Sequence, residues 1–273
     1  MKSLALAGLM GLALAHTAYA HRSCTESLLP IGGNTIWVDL EGAGNVTVVF
    51  EAGFGNESSV WANITPRIRS AGARTFVYDR AGLGKSAIDT TAPYSLDNDV
   101  SVLRSALNTC GIEGPIVMVG HSYGGAISLV SASEDDRIKG LVLLEAVVPG
   151  AWPKSEVDKN LATMRSQYAE VREQAPGLAK VAIPWAEAMP SSAQRLDAVR
   201  VPEALPIIDI VAEKGMNNPE SAKIWQEAHM AFTANNPHRE HVLAMGSSHK
   251  VMADQPDLVV KAILDMLQKT TRR

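Results

Sequence analysis

The stretch Ile116-Val117-Met118-Val119 is apolar at every position and is closed by Pro115 before it and Gly120 after it. A run that short and uniform predicts a strand buried on both faces, and the apolar spacing after Gly120 predicts a helix. Residues 74–78 and 138–144 predict two further strands, with an amphipathic helix over 95–109 leading into the 116–119 strand. Over 27–51 apolar and polar residues alternate, interrupted by Gly32-Gly33-Asn34 and Gly42-Ala43-Gly44-Asn45; this predicts three strands joined by tight turns, the third over 46–51. Residues 52–56 form a loop, and 59–70 predict a helix with Val60, Trp61, Ile64 and Ile68 at helical spacing.

After 144 the rhythm changes. Residues 149–205 contain no strand pattern but carry helical segments, with Ser155 and Asp158 as candidate N-caps and Pro176-Gly177, Pro184 and Pro190 as breaks. Alternation resumes with a strand over 207–211, a helix over 221–234, a strand over 241–245 and a helix over 256–267. Strands alternating with helices after an initial hairpin imply an α/β protein whose mostly parallel sheet is covered on both faces. The middle segment is an insertion, most simply a helical lid (149–205), between core segments 21–148 and 206–273.

Composition narrows the setting. Residues 1–20 combine Lys2, an apolar run over 4–15 and Ala18-Tyr19-Ala20, the pattern of a secretory signal peptide too short to span a membrane permanently. The mature chain is expected to begin near His21, in the periplasm or secreted, with no membrane span. Of 273 residues the remainder suffices for one large domain. A net charge of −4 with interspersed signs argues against nucleic acid as a partner. Cys24 and Cys110 are the two cysteines; in an oxidising compartment they could form one bridge, stabilising by roughly 4–5 kcal/mol in the chain-entropy model. No histidine-bearing motif flanks either, which argues against a catalytic thiol. Asn45, Asn56 and Asn63 begin N-x-S/T sequons, read as accidental in an exported bacterial protein.

The candidate chemistry lies where the central strand meets its helix. Gly120-His121-Ser122-Tyr123-Gly124 is a G-x-S-x-G elbow, whose glycines let strand and helix pass closely and whose serine projects from the top of the sheet. This block, Phe50-Glu51-Ala52-Gly53-Phe54-Gly55, Tyr78-Asp79-Arg80-Ala81-Gly82-Leu83-Gly84-Lys85-Ser86, and Ser248-His249 with Asp254-Gln255-Pro256 stand in the order seen in the α/β-hydrolase superfamily, which the chain resembles over nearly its whole mature length. The resemblance implies an eight-stranded, mostly parallel sheet with a helical lid, and serine-hydrolase chemistry.

A serine hydroxyl needs a positioned base. His249, between the last strand and last helix, stands where the family places its base; His121 is expected to point away from Ser122, and His229, His238 and His241 to be surface or core residues. His238 and His241 lack a third ligand for a metal. The acid departs from the common pattern, because Gly215 stands where many members carry an aspartate. Glu145, ending the strand after the elbow helix, resembles the alternative acid of some haloalkane dehalogenases and lactone hydrolases. Glu213 is the alternative acid and Asp209 a more remote one, while Asp79 resembles a structural turn.

The backbone N–H groups of Phe54 and Tyr123 are the oxyanion donors by resemblance. The expected activity is hydrolysis of a small-molecule carboxylic ester through an acyl-enzyme, with no cofactor and no metal. Lactone, amide or peptide hydrolysis by the same triad, a haloperoxidase, a hydroxynitrile lyase and a non-catalytic binding protein are the alternatives. Trp152, Met164, Trp185 and Met189 in the lid either favour an apolar substrate or pack the lid on the sheet.

Overall fold

A computed structural model describes residues 24–215 and 218–271; the predicted signal peptide lies outside them. Eight strands form one sheet: β1 Ser27–Ile31, β2 Asn34–Gly42, β3 Thr47–Glu51, β4 Arg74–Tyr78, β5 Ile116–His121, β6 Ile138–Leu144, β7 Ile207–Lys214 and β8 Arg239–Ser248. Their spatial order is β1-β2-β4-β3-β5-β6-β7-β8. β1, β2 and β4 pair antiparallel and all other neighbours pair parallel.

The period of two along the central strands divides the core into two layers. Val49, Met118, Leu141 and Leu143 face α2 (Leu96–Thr109) and α3 (Tyr123–Glu134). Val48, Phe50, Val117, Val119, Val142 and Leu144 face α1 (Thr65–Ser70), and α10 (Pro256–Thr271) with its short predecessor α9 (Val251–Asp254). Each such side chain, fully buried, contributes about 1.5–3 kcal/mol. This two-sided burial is why β3, β5 and β6 lack polar alternation.

Between β6 and β7 lie four helices: α4 Lys154–Ser166, α5 Tyr168–Gln174, α6 Pro176–Glu187 and α7 Met189–Asp197. Val157, Leu161, Trp185, Met189 and Leu196 join the same apolar layer as α2 and α3, so the insert packs onto the core. The remaining helix, α8 (Pro219–Thr233), adds Trp225, Ala228 and Phe232 to that layer.

Several boundaries differ from those the pattern predicts. The helix expected over 59–70 is a 3-10 turn, Ser58–Trp61, followed by α1, because Pro66 has no N–H and its ring excludes the preceding turn's carbonyl. Pro153, extended at φ −63° and ψ 156°, precedes α4, leaving the expected caps Ser155 and Asp158 inside it; Asp158 instead pairs with Lys154 at 2.5 Å. Pro176 starts α6 rather than ending a helix, and Pro184 sits within α6. β7 and β8 both run longer than predicted because their pairing continues toward the site.

Cys24 and Cys110 form a disulfide, with Cα atoms 5.7 Å apart, fastening the start of the described chain to the end of α2. No described helix is long and apolar enough to cross a membrane.

Candidate active site

Ser122 stands between β5 and α3 at φ 52° and ψ −121°, a conformation that non-glycine residues rarely adopt. Backbone bonds on both sides impose it: its N–H donates to Leu144 O at 3.1 Å, and its carbonyl accepts from Gly125 and Val147, both at 2.9 Å. The flanking glycines leave no room for side chains. A Cβ on Gly120 would lie 2.5 Å from Ser128 Oγ, one on Gly124 2.3 Å from Glu51 O, and one on Gly125 2.3 Å from Ala146 Cβ.

Glu145 follows β6 directly, is fully buried, and has φ 47°. Its N–H donates to Ile210 O at 2.7 Å, and its Oε2 accepts from Ala212 N at 2.6 Å, so β7 holds both its backbone and its carboxyl. Oε1 lies 3.8 Å from Nδ1 of His249, and neither atom has another hydrogen-bond partner among the described residues. The structure thus brings Glu145 and His249 together, and the His249 ring lies 4.9 Å from that of His121, the residue before Ser122.

The other carboxylates lie elsewhere. Glu213 is exposed and accepts from Gly246 N at 2.7 Å, tying β7 to β8. Asp209 is buried in β7 against His229 Nδ1, at 2.9 Å, and His241 Nδ1, at 3.4 Å. Those two imidazoles hold its carboxyl below the usual range although burial alone would raise it. Asp79 accepts from Ser58 N and Lys85 N, each at 2.8 Å, so both its oxygens fasten turns.

His121, the residue before Ser122, has a structural partner of its own. It is buried, and its Nε2–H donates to the His249 carbonyl at 2.9 Å, holding the backbone that presents His249. Burial, then the neighbouring His249, pushes its pKa down to about 3. A Cβ on Gly53 would lie 2.7 Å from His121 Nδ1, so the 52–56 loop and the His249 loop touch the same ring.

Beneath that loop lies a charged cluster that the pattern reading did not single out. Arg80 Nη1 pairs with Glu51 Oε1 at 2.6 Å, and Tyr78 OH donates to Glu51 Oε2. Burial, against the opposing effect of Arg80, pushes Glu51 up to about 7. Burial likewise raises Asp99, which accepts from Tyr123 OH at 3.0 Å and Tyr94 OH at 2.5 Å. Opposite charges at the ends of neighbouring strands β3 and β4 were the available signal.

The insert roofs the site with aromatic rings. Trp185 stacks on Phe54 with centroids 3.8 Å apart and meets Tyr123 edge-on at 5.6 Å, while Trp152 lies 6.3 Å from Tyr123. Met164 and Met189 pack in the same core layer as Trp185. A recess of about 210 Å³ lies between Trp152 and Trp225, the latter 6.4 Å from the His249 ring. Among the described residues no group of three His, Cys, Asp or Glu side chains is arranged to hold a metal.

Sheet order, insert and elbow are those of one family, and residues 46–234 match the model of the alpha/beta hydrolase fold. The chain belongs to the α/β-hydrolase fold family. It is 26% identical over 236 residues to the uncharacterized protein YqjL of Bacillus subtilis, covering 83% of this chain and 85% of that one. Among solved structures it is similar to a thermophilic esterase from Thermogutta terrifontis, at TM-score 0.68 and 21% identity, covering 87% of this chain and 94% of that one. It is also similar to the haloalkane dehalogenase DatA from Agrobacterium tumefaciens C58, at TM-score 0.69 and 18% identity, covering 89% and 96%. At these identities the structural likeness is one of fold.

Proposed function

We propose that the protein is an exported carboxylic-ester hydrolase with Ser122 as nucleophile, His249 as base and Glu145 as the acid that orients it. The observation that carries this reading is the pairing of two otherwise unpartnered buried atoms, Glu145 Oε1 and His249 Nδ1, beside a serine held at positive φ. Closing their 3.8 Å separation to a hydrogen bond takes about 1 Å, a tightening common when substrate binds.

In the reaction Ser122 Oγ attacks the ester carbonyl carbon while its proton passes to His249 Nε2. The N–H groups of Phe54 and Tyr123 stabilise the resulting oxyanion. Collapse breaks the carbon–oxygen bond to the alcohol, which leaves with the proton from His249. Water, deprotonated by His249, then attacks the acyl-enzyme and releases the acid and Ser122. Residues 149–205 act as the lid, and the Phe54–Trp185 stack favours short acyl groups. The Cys24–Cys110 bridge supports export, because disulfides persist in oxidising compartments.

The test is turnover of 4-nitrophenyl acetate, with a panel of lactones and amides beside it. Ser122→Ala and His249→Ala should each lower kcat by several orders of magnitude in folded protein, since nucleophile and base act as a unit. Wild-type rates in either variant would overturn the assignment. Inertness of the native protein toward the whole panel would favour a binding protein.

A further inference from the structure

Glu51 and Arg80 have no step in the reaction above, yet both are buried beneath the site. Desolvation offsets much of the attraction in a buried ion pair, so stability alone is a weak reason for this one. The guanidinium's other contacts supply a better reason. Arg80 Nη1 donates to the Ala52 carbonyl and Nη2 to the Gly53 carbonyl at 2.6 Å, two consecutive acceptors in the loop between β3 and the 3-10 turn. The Gly53 carbonyl also accepts from Asn56 N–H at 3.2 Å.

In a trans peptide the carbonyl and the following N–H point in opposite directions. Holding the Gly53 carbonyl against Arg80 therefore turns the Phe54 N–H away from the guanidinium. The N–H groups of Phe54 and Tyr123 donate to no other described residue. The same cluster braces Tyr123: Arg80 Cζ lies 5.7 Å from its ring centroid, and its hydroxyl is bonded to Asp99.

We propose that Arg80 is the positioning residue of the oxyanion hole, its fork fixing the Gly53–Phe54 peptide and its flank bracing Tyr123, with Glu51 holding the fork in plane. The catalytic part of this proposal rests on the reading of Ser122 as nucleophile; the peptide-orienting part does not. A planar fork reaches Glu51 and two carbonyls together, whereas a lysine ammonium is a point donor that cannot reproduce this geometry. The acid–base contacts of His249 do not pass through Arg80, so its loss should weaken oxyanion stabilisation while leaving the base in place.

The experiment compares wild type with Arg80→Lys and Arg80→Met. Kinetics use 4-nitrophenyl acetate, with active sites counted by fluorophosphonate labelling and a boronic acid as the tetrahedral analogue. For Arg80→Met, kcat per active site should fall roughly 10²-fold, the scale of one lost oxyanion donor, with KM within about threefold. The analogue should weaken by about the factor lost in kcat/KM, because it shares the transition state's charge. Arg80→Lys should retain an intermediate rate, and the acid limb of the pH profile should stay in place. Unchanged kcat per active site, or unchanged analogue affinity, overturns the proposal.

Where Arg80→Met does not fold, Arg80→Lys decides on the same readouts. The geometric claim is read without any substrate: with only 4 phenylalanines, selective ¹⁵N labelling resolves the Phe54 amide. That resonance should move by more than its linewidth in Arg80→Lys, and an unmoved resonance overturns the proposal. If native protein turns over no ester but the amide moves, the ester-hydrolase reading fails while the orienting role of Arg80 stands.

Discussion

The carboxyl of Glu145 occupies the space that a side chain at position 215 would need: a Cβ on Gly215 would lie 1.7 Å from Glu145 Oε1. An acid at the end of β6 and one after β7 are thus mutually exclusive here. Gly215→Asp alone should abolish activity and destabilise the fold, whereas Glu145→Ala combined with Gly215→Asp should recover part of both. A double variant worse than either single one, measured by kcat and denaturant midpoint, would contradict this exclusion.

Glu145→Gln keeps the shape and removes the charge. By comparison with neutralised triad acids, kcat should fall roughly 10³ to 10⁴-fold, while Glu213→Gln, at an exposed carboxyl bonded to Gly246 N, should change kcat less than about threefold. The reverse ranking would move the acid to β7.

His121 makes stability pH-dependent. Its pKa is about 3 in the fold and about 6.5 in an unfolded chain, so below pH 6.5 the unfolded state binds a proton that the folded state refuses. Its contribution is present above pH 6.5 and is lost as pH falls toward 3. Between pH 7.5 and 4.5 this amounts to up to about 2–3 kcal/mol. His121→Asn, which keeps an N–H donor for the His249 carbonyl, should lose correspondingly less stability over that interval in urea titrations; equal losses would count against the assignment.

Trp185 stacks on Phe54, whose N–H is proposed as an oxyanion donor, and so limits the space above it. Trp185→Leu should raise kcat/KM for octanoyl relative to acetyl esters by roughly tenfold, the scale of a few methylenes in an apolar pocket. An unchanged ratio would assign the ring to packing alone.

The Cys24–Cys110 bridge spans a sequence separation of 86. Replacing both cysteines by serine should lower unfolding free energy by about 2–5 kcal/mol, with kcat changed little in the folded variant. Thiol titration of denatured, unreduced native protein should find no free thiol.

Sheet and helices were legible where apolar runs were long: β5, β6, α2 and α10 follow directly from periodicity. The elbow turn and the place of Glu145 at the end of β6 were legible because the first is a motif and the second a lone carboxyl ending an apolar strand; its proposed part as the acid awaits the variants above. The break at Pro66 was missed because Val60, Trp61, Ile64 and Ile68 keep helical spacing across it, although all but Val60 are buried there. The backbone contacts of His121 and Arg80 escaped for another reason. Their partners are the carbonyls of His249, Ala52 and Gly53, and a backbone acceptor leaves no mark in a residue pattern.

An acid at the end of β6, as proposed for Glu145, partitions the chain unevenly. Phe54, Tyr123 and Ser122, proposed to meet the substrate's reacting carbonyl, and Glu145, proposed to orient the base, all precede the insert, and only His249 arrives from beyond it. Under that proposal the described residues of the connection from β7 to α8, Gly215 and Asn218, carry no reacting group. Gly215 leaves an empty place for the Glu145 carboxyl, and Asn218 Oδ1 caps α8 by accepting from Glu220 N at 2.9 Å and Ser221 N at 3.1 Å, so both positions serve the packing of the chain.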